Sequence, residues 1–444
     1  MAARSRLNPV VRWLAKAACS VFYRIDRIGC APESGAAILL PNHPNALLDP
    51  ALVWATAQRD VRFLAKSTLF QTPLRILLDG AGAIPVYRQI DKGADTSRNT
   101  EMFEAVAAAL AAGDAICIFP EGISHSKGRL EPLRTGAARM TLAAERNGTE
   151  VALVPVGLNF DRKTAFRSRV TVVFGRPFSA KDLLAGHDDD LAPAVRALTQ
   201  RIAQHMRGLL IEADPIADAA LVDRVDRLYT AARGRPHDPS ERLARRRTIA
   251  EGIDRLRQVA PDKYDELLLR LRRYDQRLRR FGIRDRHLDW QIDNRDALAF
   301  AARELAFAAL LLPLSLLGLL VFAVPYYLTG IAARMSTREH DVLATAQVLT
   351  GAGIYGTWMV ILSALAWSLA GRGAAVAVFL IVPALAVASL LALERETSVL
   401  HAIRSWLLLR RASGGARARL RRHRSELADV LDQINEWMQT HELL

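Results

Sequence analysis

Residues 41–50 read PNHPNALLDP, with His43 between two prolines and Asp49 six positions later. A histidine's ordinary pKa of about 6.5 suits it to exchange protons near neutral pH. A nearby carboxylate can hold its ring in the useful tautomer. His43 is therefore the candidate general base and Asp49 its orienting partner. A His and an Asp at such spacing also occur in purely structural segments, so the stretch gains its meaning from its surroundings. In one continuous helix, positions six apart point about 120° apart. The two side chains can meet only if His43 lies in a loop ahead of the helix and folds back. Pro44 suits a first helical turn and Pro50 disfavours ordinary helix at Asp49, so an irregular first turn is expected.

Outward from this stretch, short apolar runs at 36–40, 61–65, 83–87, 115–119, 151–156 and 170–174 predict strands. Helical patterns at 97–112, 134–146 and 193–211 fall between or after them. This alternation predicts an α/β domain over 36–212, a mostly parallel sheet flanked by helices, with its chemistry in loops after strand ends. Residues 1–35 read as an amphipathic N-terminal helix and lead-in. Val10, Trp13, Leu14, Ala17, Val21 and Phe22 recur at helical spacing. The helix fits either a bilayer interface or its own domain. Arg12 and Lys16 interrupt the apolar run, so it does not read as a signal peptide. Cys19, Cys30 and Cys117 follow no metal or disulfide spacing and fit a reducing compartment.

The 444 residues carry a net charge of +14 together with 51% hydrophobic residues, which indicates a soluble part and a membrane part in one chain. Residues 213–300 are rich in Arg, Asp, Glu and Leu and read as a charged helical arm with a solvated face. Residues 301–398 read as a membrane domain, because 305–333, 342–370 and 374–393 carry no charge. A helix of 29 residues would be about 43 Å long against a hydrocarbon core of about 30 Å. Residues 399–444 form a basic helical tail, with eight arginines and no acid between Leu400 and Arg424. Such a tail is expected on the cytoplasmic side, as is the α/β domain. Pro313, Gly318 and Pro325 suggest that the first apolar run is embedded without crossing, leaving two full crossings that turn at Arg372.

Three further segments carry candidate chemistry: GAIPVYR (82–88), IFPEGISHSKGRLEPLRTG (118–136) and VALVPVGLNF (151–160). Pro155 interrupts the last of these strands, so backbone groups near it are expected to be free to face a ligand. No G-x-S-x-G elbow surrounds Ser124 or Ser126, and no phosphate-binding P-loop, dinucleotide loop or metal-ligand spacing is found.

In this order, the four segments resemble the glycerolipid acyltransferase family, the glycerol-3-phosphate and 1-acylglycerol-3-phosphate acyltransferases. The resemblance covers residues 36–180. Two departures stand out: five residues rather than four separate His43 from Asp49, and 119–125 read FPEGISH where FPEGTRS is usual. Both look like the dual-specificity glycerol-3-phosphate/dihydroxyacetone-phosphate branch, and REHDVLATAQ (338–347) is similar to a segment that branch carries beside its membrane helices. The resemblance implies acyl transfer from a thioester, acyl-CoA or acyl carrier protein, to a phosphorylated glycerol acceptor. No cofactor or metal is implied. It also implies that Arg88, Glu121 and Gly122 belong to the acceptor site. Arg88 can pair with the phosphate in bidentate fashion. Ser124, His125 and Lys127 can add donors, Arg134 is a further candidate, and Lys66 can face the pocket from a strand end.

The expected protein is an integral membrane acyltransferase of phospholipid biosynthesis, its catalytic domain at the cytoplasmic face. Its Ala- and Arg-rich composition suggests a bacterial inner membrane. Its expected partners are membrane lipids, the acceptor and the donor. Nucleic acid is not expected, since the basic tail lacks interleaved aromatics apart from Trp406. The alternative is a non-enzymatic lipid-binding scaffold built from the same α/β domain and charged helices.

Overall fold

The computed structural model describes residues 8–71, 75–87, 99–125, 127–184, 190–213, 216–280, 283, 285, 288–289, 313, 316–335, 343–411 and 414–440. It divides into two compact units. The first comprises 1–220, 237–250 and 339–345, and the second comprises 221–236, 251–338 and 346–444.

In the first unit, helix α1 (Asn8–Phe22) runs directly into strand β1 (Tyr23–Ile28). Then follow β2 (Ala37–Pro41), α2 (Leu48–Thr56), β3 (Val61–Lys66), α3 (Arg75–Gly80) and β4 (Ile84–Val86). They are succeeded by α4 (Asn99–Ala111), β5 (Ala115–Cys117), α5 (Gly136–Arg146), β6 (Ala152–Phe160), β7 (Ser168–Phe174) and α6 (Ala192–Arg207). Among the described residues these strands make one sheet in the order β1-β7-β6-β2-β5-β3-β4. β6, β2, β5, β3 and β4 are mutually parallel, and the β1–β7 pair runs antiparallel to β6. The α/β domain is thus a mostly parallel sheet flanked by helices.

Alternation across the pleat divides the core. Ile38, Leu40, Ile116, Val151 and Leu153 face a cluster supplied by Val106 and Leu110 of α4, Ala138 and Leu142 of α5, and Leu198 and Ile202 of α6. α1 and α2 pack together away from that cluster, and Leu52 and Val53 of α2 are wholly buried. Parallel strands covered on both faces read as continuous apolar runs, which is why β2 (AILLP) is buried at every position. β1 departs from the reading of 1–35 as helix and lead-in. Its sequence YRIDRI alternates charged and apolar residues, and it finds its partner 145 positions later, Tyr23 lying against Ser168. α2 contains Asp49 and Pro50 within its first turn, where a proline's missing N–H costs nothing. The irregular turn lies just ahead of it, where Ala46 takes φ +44°.

The remaining helices are α7 (Ile216–Arg233), α8 (Pro239–Val259), α9 (Pro261–Arg280), α10 (Leu316–Met335), α11 (Leu343–Arg411) and α12 (Gly414–Thr440). Within the second unit, Leu267, Leu271, Tyr274 and Leu278 form the buried stripe of α9. Arginine–aspartate pairs stitch its helices: Arg224 to Asp275 and Asp285 at 2.6 and 3.0 Å, and Arg424 to Asp289 at 2.5 Å. Tyr229 donates to Asp432 at 2.9 Å, and Arg233 reaches Asp429 and Asp432, each at 2.6 Å. The arm's charges were expected on a solvated face. Several instead join the arm to the tail, because Arg224 and Arg424 sit where paired carboxylates can compensate their loss of water.

α10 and the apolar part of α11, Ala346–Ala386, are each long and apolar enough to cross a bilayer, and their side chains are largely uncovered by protein, Leu320 and Leu369 being 77% and 78% exposed. Pro325 lies inside α10 without ending it, because the Val321 carbonyl that its missing N–H leaves free accepts from Trp358 Nε1. α10 and the first half of α11 run antiparallel: Trp358 Nε1 donates to the Val321 carbonyl at 2.9 Å, and Phe322 stacks on Tyr355. A straight helix would carry the chain about 46 Å from Trp358 to Ser389. Ser389 nevertheless meets Gly318, three residues from Val321, so α11 doubles back. The turn is Gly371, at φ +83° and ψ −174°, one residue from the expected Arg372 and in a region essentially reserved for glycine. Replacing Gly371 with Ala should cost about 1–3 kcal/mol at this turn. Unfolding of the chain in detergent should show a lowered midpoint, and an unchanged midpoint would contradict a turn at this residue.

Candidate active site

Two loops form the site, and both leave the carboxyl ends of neighbouring parallel strands. β2 delivers Asn42 and His43, and β5 delivers Phe119 to His125. The connections from these two strands lead to opposite sides of the sheet, the first to β3 and the second to β6, which opens a crevice at their ends.

The first loop is anchored on β6. Asn42 Nδ2 donates to the Leu158 carbonyl at 3.2 Å, and its Oδ1 accepts the Leu158 N–H at 2.7 Å. The side chain thus extends the sheet's own ladder by one rung beyond Pro41. The loop then folds back through Ala46, and His43 Nδ1 lies 2.9 Å from Asp49 Oδ2. The same oxygen accepts the Asn45 N–H at 2.6 Å. The His43 ring stacks on Phe119 with centroids 4.0 Å apart, while its side chain stays 19% exposed and that of Asp49 is wholly enclosed. The proposed base and its partner are therefore in contact, with the base at the surface and the acid beneath it.

The second loop is tied to the first by Glu121. Its Oε1 accepts the His43 N–H at 2.7 Å, and its Oε2 accepts the Glu131 N–H at 2.9 Å and pairs with His125 Nε2. The His125 N–H donates to the His43 carbonyl at 3.1 Å, and the Ala46 N–H donates to Ser124 Oγ at 3.1 Å. A buried carboxylate accepting several N–H groups is a rigid joint. Gly122 follows at φ +75°, and a Cβ there would press within 3.2 Å of Arg134 Cγ, so the tight turn needs glycine. The Arg134 N–H closes the loop on the Pro120 carbonyl at 2.7 Å.

The sequence-derived residues divide by position. His43, Asp49, Glu121, Gly122, Ser124 and His125 come together. Glu121, Ser124 and His125 spend their polar groups on holding the two loops to each other. Lys127 lies outward, paired with Glu131 at 2.7 Å with its side chain 60% exposed. Lys66 ends β3, in register with Val86 of β4. Arg88 lies outside the described residues. Pro155 is enclosed in β6 opposite Leu40, and its carbonyl accepts the Gly175 N–H at 2.9 Å rather than facing a ligand. Its missing N–H falls at a bulge, where 175–177 stand against 154–155 between the Val156–Phe174 pair and the Leu153–Phe178 bridge. Sequence reasoning passed over Tyr23, Asn42, Asn45, Phe119 and Lys163. Asn42 and Asn45 flank His43 and Pro44 in the quoted motif, which was their only signal.

Burial pushes the Asp49 carboxyl above its ordinary value, and the His43 ring and the Asn45 N–H draw it part of the way back. Burial likewise raises the neighbouring thiols, Cys19 to about 12 and Cys117 well above the ordinary value, with the Asp49 charge adding to both. Their burial keeps these thiols protonated beside the pair. Among the described residues no group of His, Cys, Asp and Glu could hold a metal ion.

The acyltransferase family's model matches residues 5–159. The chain is similar to glycerol-3-phosphate O-acyltransferase 1 of Saccharomyces cerevisiae, 25% identical over 276 residues, which are 57% of this chain and 36% of that protein. It is also similar to glycerol-3-phosphate O-acyltransferase 2 of the same yeast, 24% identical over 61% of this chain and 37% of that protein. An uncharacterized acyltransferase of Schizosaccharomyces pombe is 25% identical over 65% of this chain and 42% of that protein. The chain therefore spans about two fifths of the length of the curated relatives it matches. Among solved structures it is similar to the 1-acyl-sn-glycerophosphate acyltransferase PlsC of Thermotoga maritima, at 15% identity and a TM-score of 0.32, covering 45% of this chain and 79% of that one.

The raised Asp49 value has a consequence for stability. A carboxyl whose folded value lies above its unfolded one stabilises the fold while protonated, and this contribution is lost as pH rises through the folded value. Ionised Asp49 therefore costs stability at neutral pH. Asp49→Asn should gain on the wild type, in melting temperature, as pH rises from about 4 to about 7. A difference that shifts towards the wild type over that range would contradict the buried charge.

Proposed function

We propose that the chain is a membrane-bound O-acyltransferase of glycerolipid synthesis. It moves a fatty acyl group from a thioester donor, acyl-CoA or acyl carrier protein, to the hydroxyl of glycerol-3-phosphate or 1-acylglycerol-3-phosphate. The observation that carries this reading is the 2.9 Å contact between His43 Nδ1 and the enclosed Asp49 carboxylate, at the mouth of the crevice. A carboxylate at Nδ1 keeps the proton there and leaves Nε2 as the basic nitrogen. The acceptor hydroxyl gives its proton to Nε2 as its oxygen attacks the thioester carbonyl. The tetrahedral intermediate then expels the thiolate, breaking the C–S bond, and the imidazolium returns the proton to sulfur. Direct attack needs no acyl-enzyme. Ser124 supports this, since its Oγ is engaged by the Ala46 N–H.

Arg88, two residues past β4 in the sequence, is proposed as the phosphate contact, with Lys66 beside that strand. The uncovered apolar faces of α10 and α11 support embedding in a bilayer, where the acyl product stays. The catalytic side is proposed as cytoplasmic and the bilayer as a bacterial inner membrane.

Purified full chain with labelled acyl donor should be offered glycerol-3-phosphate, dihydroxyacetone phosphate, 1-acylglycerol-3-phosphate and unphosphorylated glycerol. Transfer to a phosphorylated acceptor is expected. His43→Ala should lower it at least about a hundredfold with an unchanged fold by circular dichroism. Arg88→Ala should raise KM for the phosphorylated acceptor with less effect on kcat. No transfer with any acceptor, alongside intact binding of lipid vesicles, would favour the scaffold reading. Full activity of His43→Ala would remove the base.

A further inference from the structure

We propose that Tyr23 and Lys163 are positioning residues of the His43–Asp49 pair, forming with Asn45 a closed ring of hydrogen bonds behind it. The proposal rests on the functional reading above and extends it to residues that neither the motifs nor the resemblance single out. Tyr23 begins β1 and its phenol is buried. Its O–H donates to the Lys163 carbonyl in the loop after β6, and its oxygen accepts from Asn45 Nδ2 at 2.7 Å. Lys163 Nζ in turn donates to the Pro44 carbonyl at 2.9 Å. Pro44 and Asn45 are consecutive, so the circuit closes on the segment between His43 and Asp49. The backbone of that same Asn45 delivers its N–H to Asp49 Oδ2.

The arrangement has two separable effects. Tyr23 is held on both sides, by edge-on contacts to Phe22 and Phe160, and cannot follow a displaced loop. It therefore fixes where Asn45, and with it the Asp49 carboxylate, can sit. Lys163 adds charge. Its ammonium rests on a neutral carbonyl, yet it favours the ionised form of Asp49, as the His43 ring and the Asn45 N–H do. Among the described residues, the other titratable groups facing Asp49 are Cys19 of α1, Tyr23 of β1 and Cys117 of β5, all neutral and buried. Lys163 is thus the cation that offsets the enclosure of Asp49 when His43 is neutral.

The test compares wild type, Tyr23→Phe, Lys163→Met and Lys163→Arg as full chains in detergent, with thermal unfolding measured alongside. Tyr23→Phe should lower kcat about tenfold while both KM values stay within about twofold, because only the reacting geometry is disturbed. Lys163→Met should move the acid limb of kcat/KM to higher pH by about half a unit or more, and Lys163→Arg should restore it. An unmoved acid limb with unchanged kcat would overturn the proposal. So would losses that merely track the folded fraction. A wild type inactive with every acceptor defeats the functional reading instead. The ring is then decided by the His43 nitrogen resonances, which Tyr23→Phe shifts if the circuit holds and leaves in place if it does not.

Discussion

The Asp49 carboxylate is wholly enclosed, and one of its oxygens carries both the His43 ring and the Asn45 N–H. An ion removed from water in this way is tolerated only where donors meet it. That requirement dictates the rest of the site. The chain must fold back between His43 and Asp49, which places Ala46 at positive φ. The folded-back loop must then be held: by Glu121 and Ser124 after β5, by the Leu158 backbone of β6 through Asn42, and by Lys163 after β6. Because β2 lies between β5 and β6, all three segments arrive at one end of the sheet. The sheet order is what turns a local sequence motif into a supported pair of side chains.

The apolar helices α10 and α11 follow a different physical rule. They present apolar side chains outward, and they meet through the Trp358–Val321 bond, the Phe322–Tyr355 stack and the close approach of Ser389 to Gly318.

Much of this was legible in the sequence. β2 and β6 read as strands because burial on both faces leaves an uninterrupted apolar run. That His43 and Asp49 can meet only through an irregular turn followed from the helical geometry of a six-residue spacing and from Pro44 and Pro50. The Gly371 turn followed from the short polar break between two apolar runs. What escaped had no local cause. β1 follows α1 with no glycine or proline between them, and its strand character comes from β7, far along the chain. Tyr23 meets Asn45 across 22 positions, and Lys163 meets Tyr23 and Pro44 across 140 and 119, which no spacing rule can reach. Glu121 was legible as a site residue. Its work as the joint between two loops depends on backbone donors from His43 and Glu131 that only the fold supplies.

The central claim is that the carboxylate of Asp49 fixes the His43 proton on Nδ1 and leaves Nε2 basic. Nitrogen-15 spectra of the histidine-labelled chain in detergent at neutral pH, with His43 assigned by its Ala variant, read this directly. The account predicts a protonated, pyrrole-type Nδ1 and an unprotonated, pyridine-type Nε2, with the Nδ1 signal perturbed in Asp49→Asn. An unprotonated Nδ1, or a ring indifferent to the loss of the Asp49 charge, would contradict it.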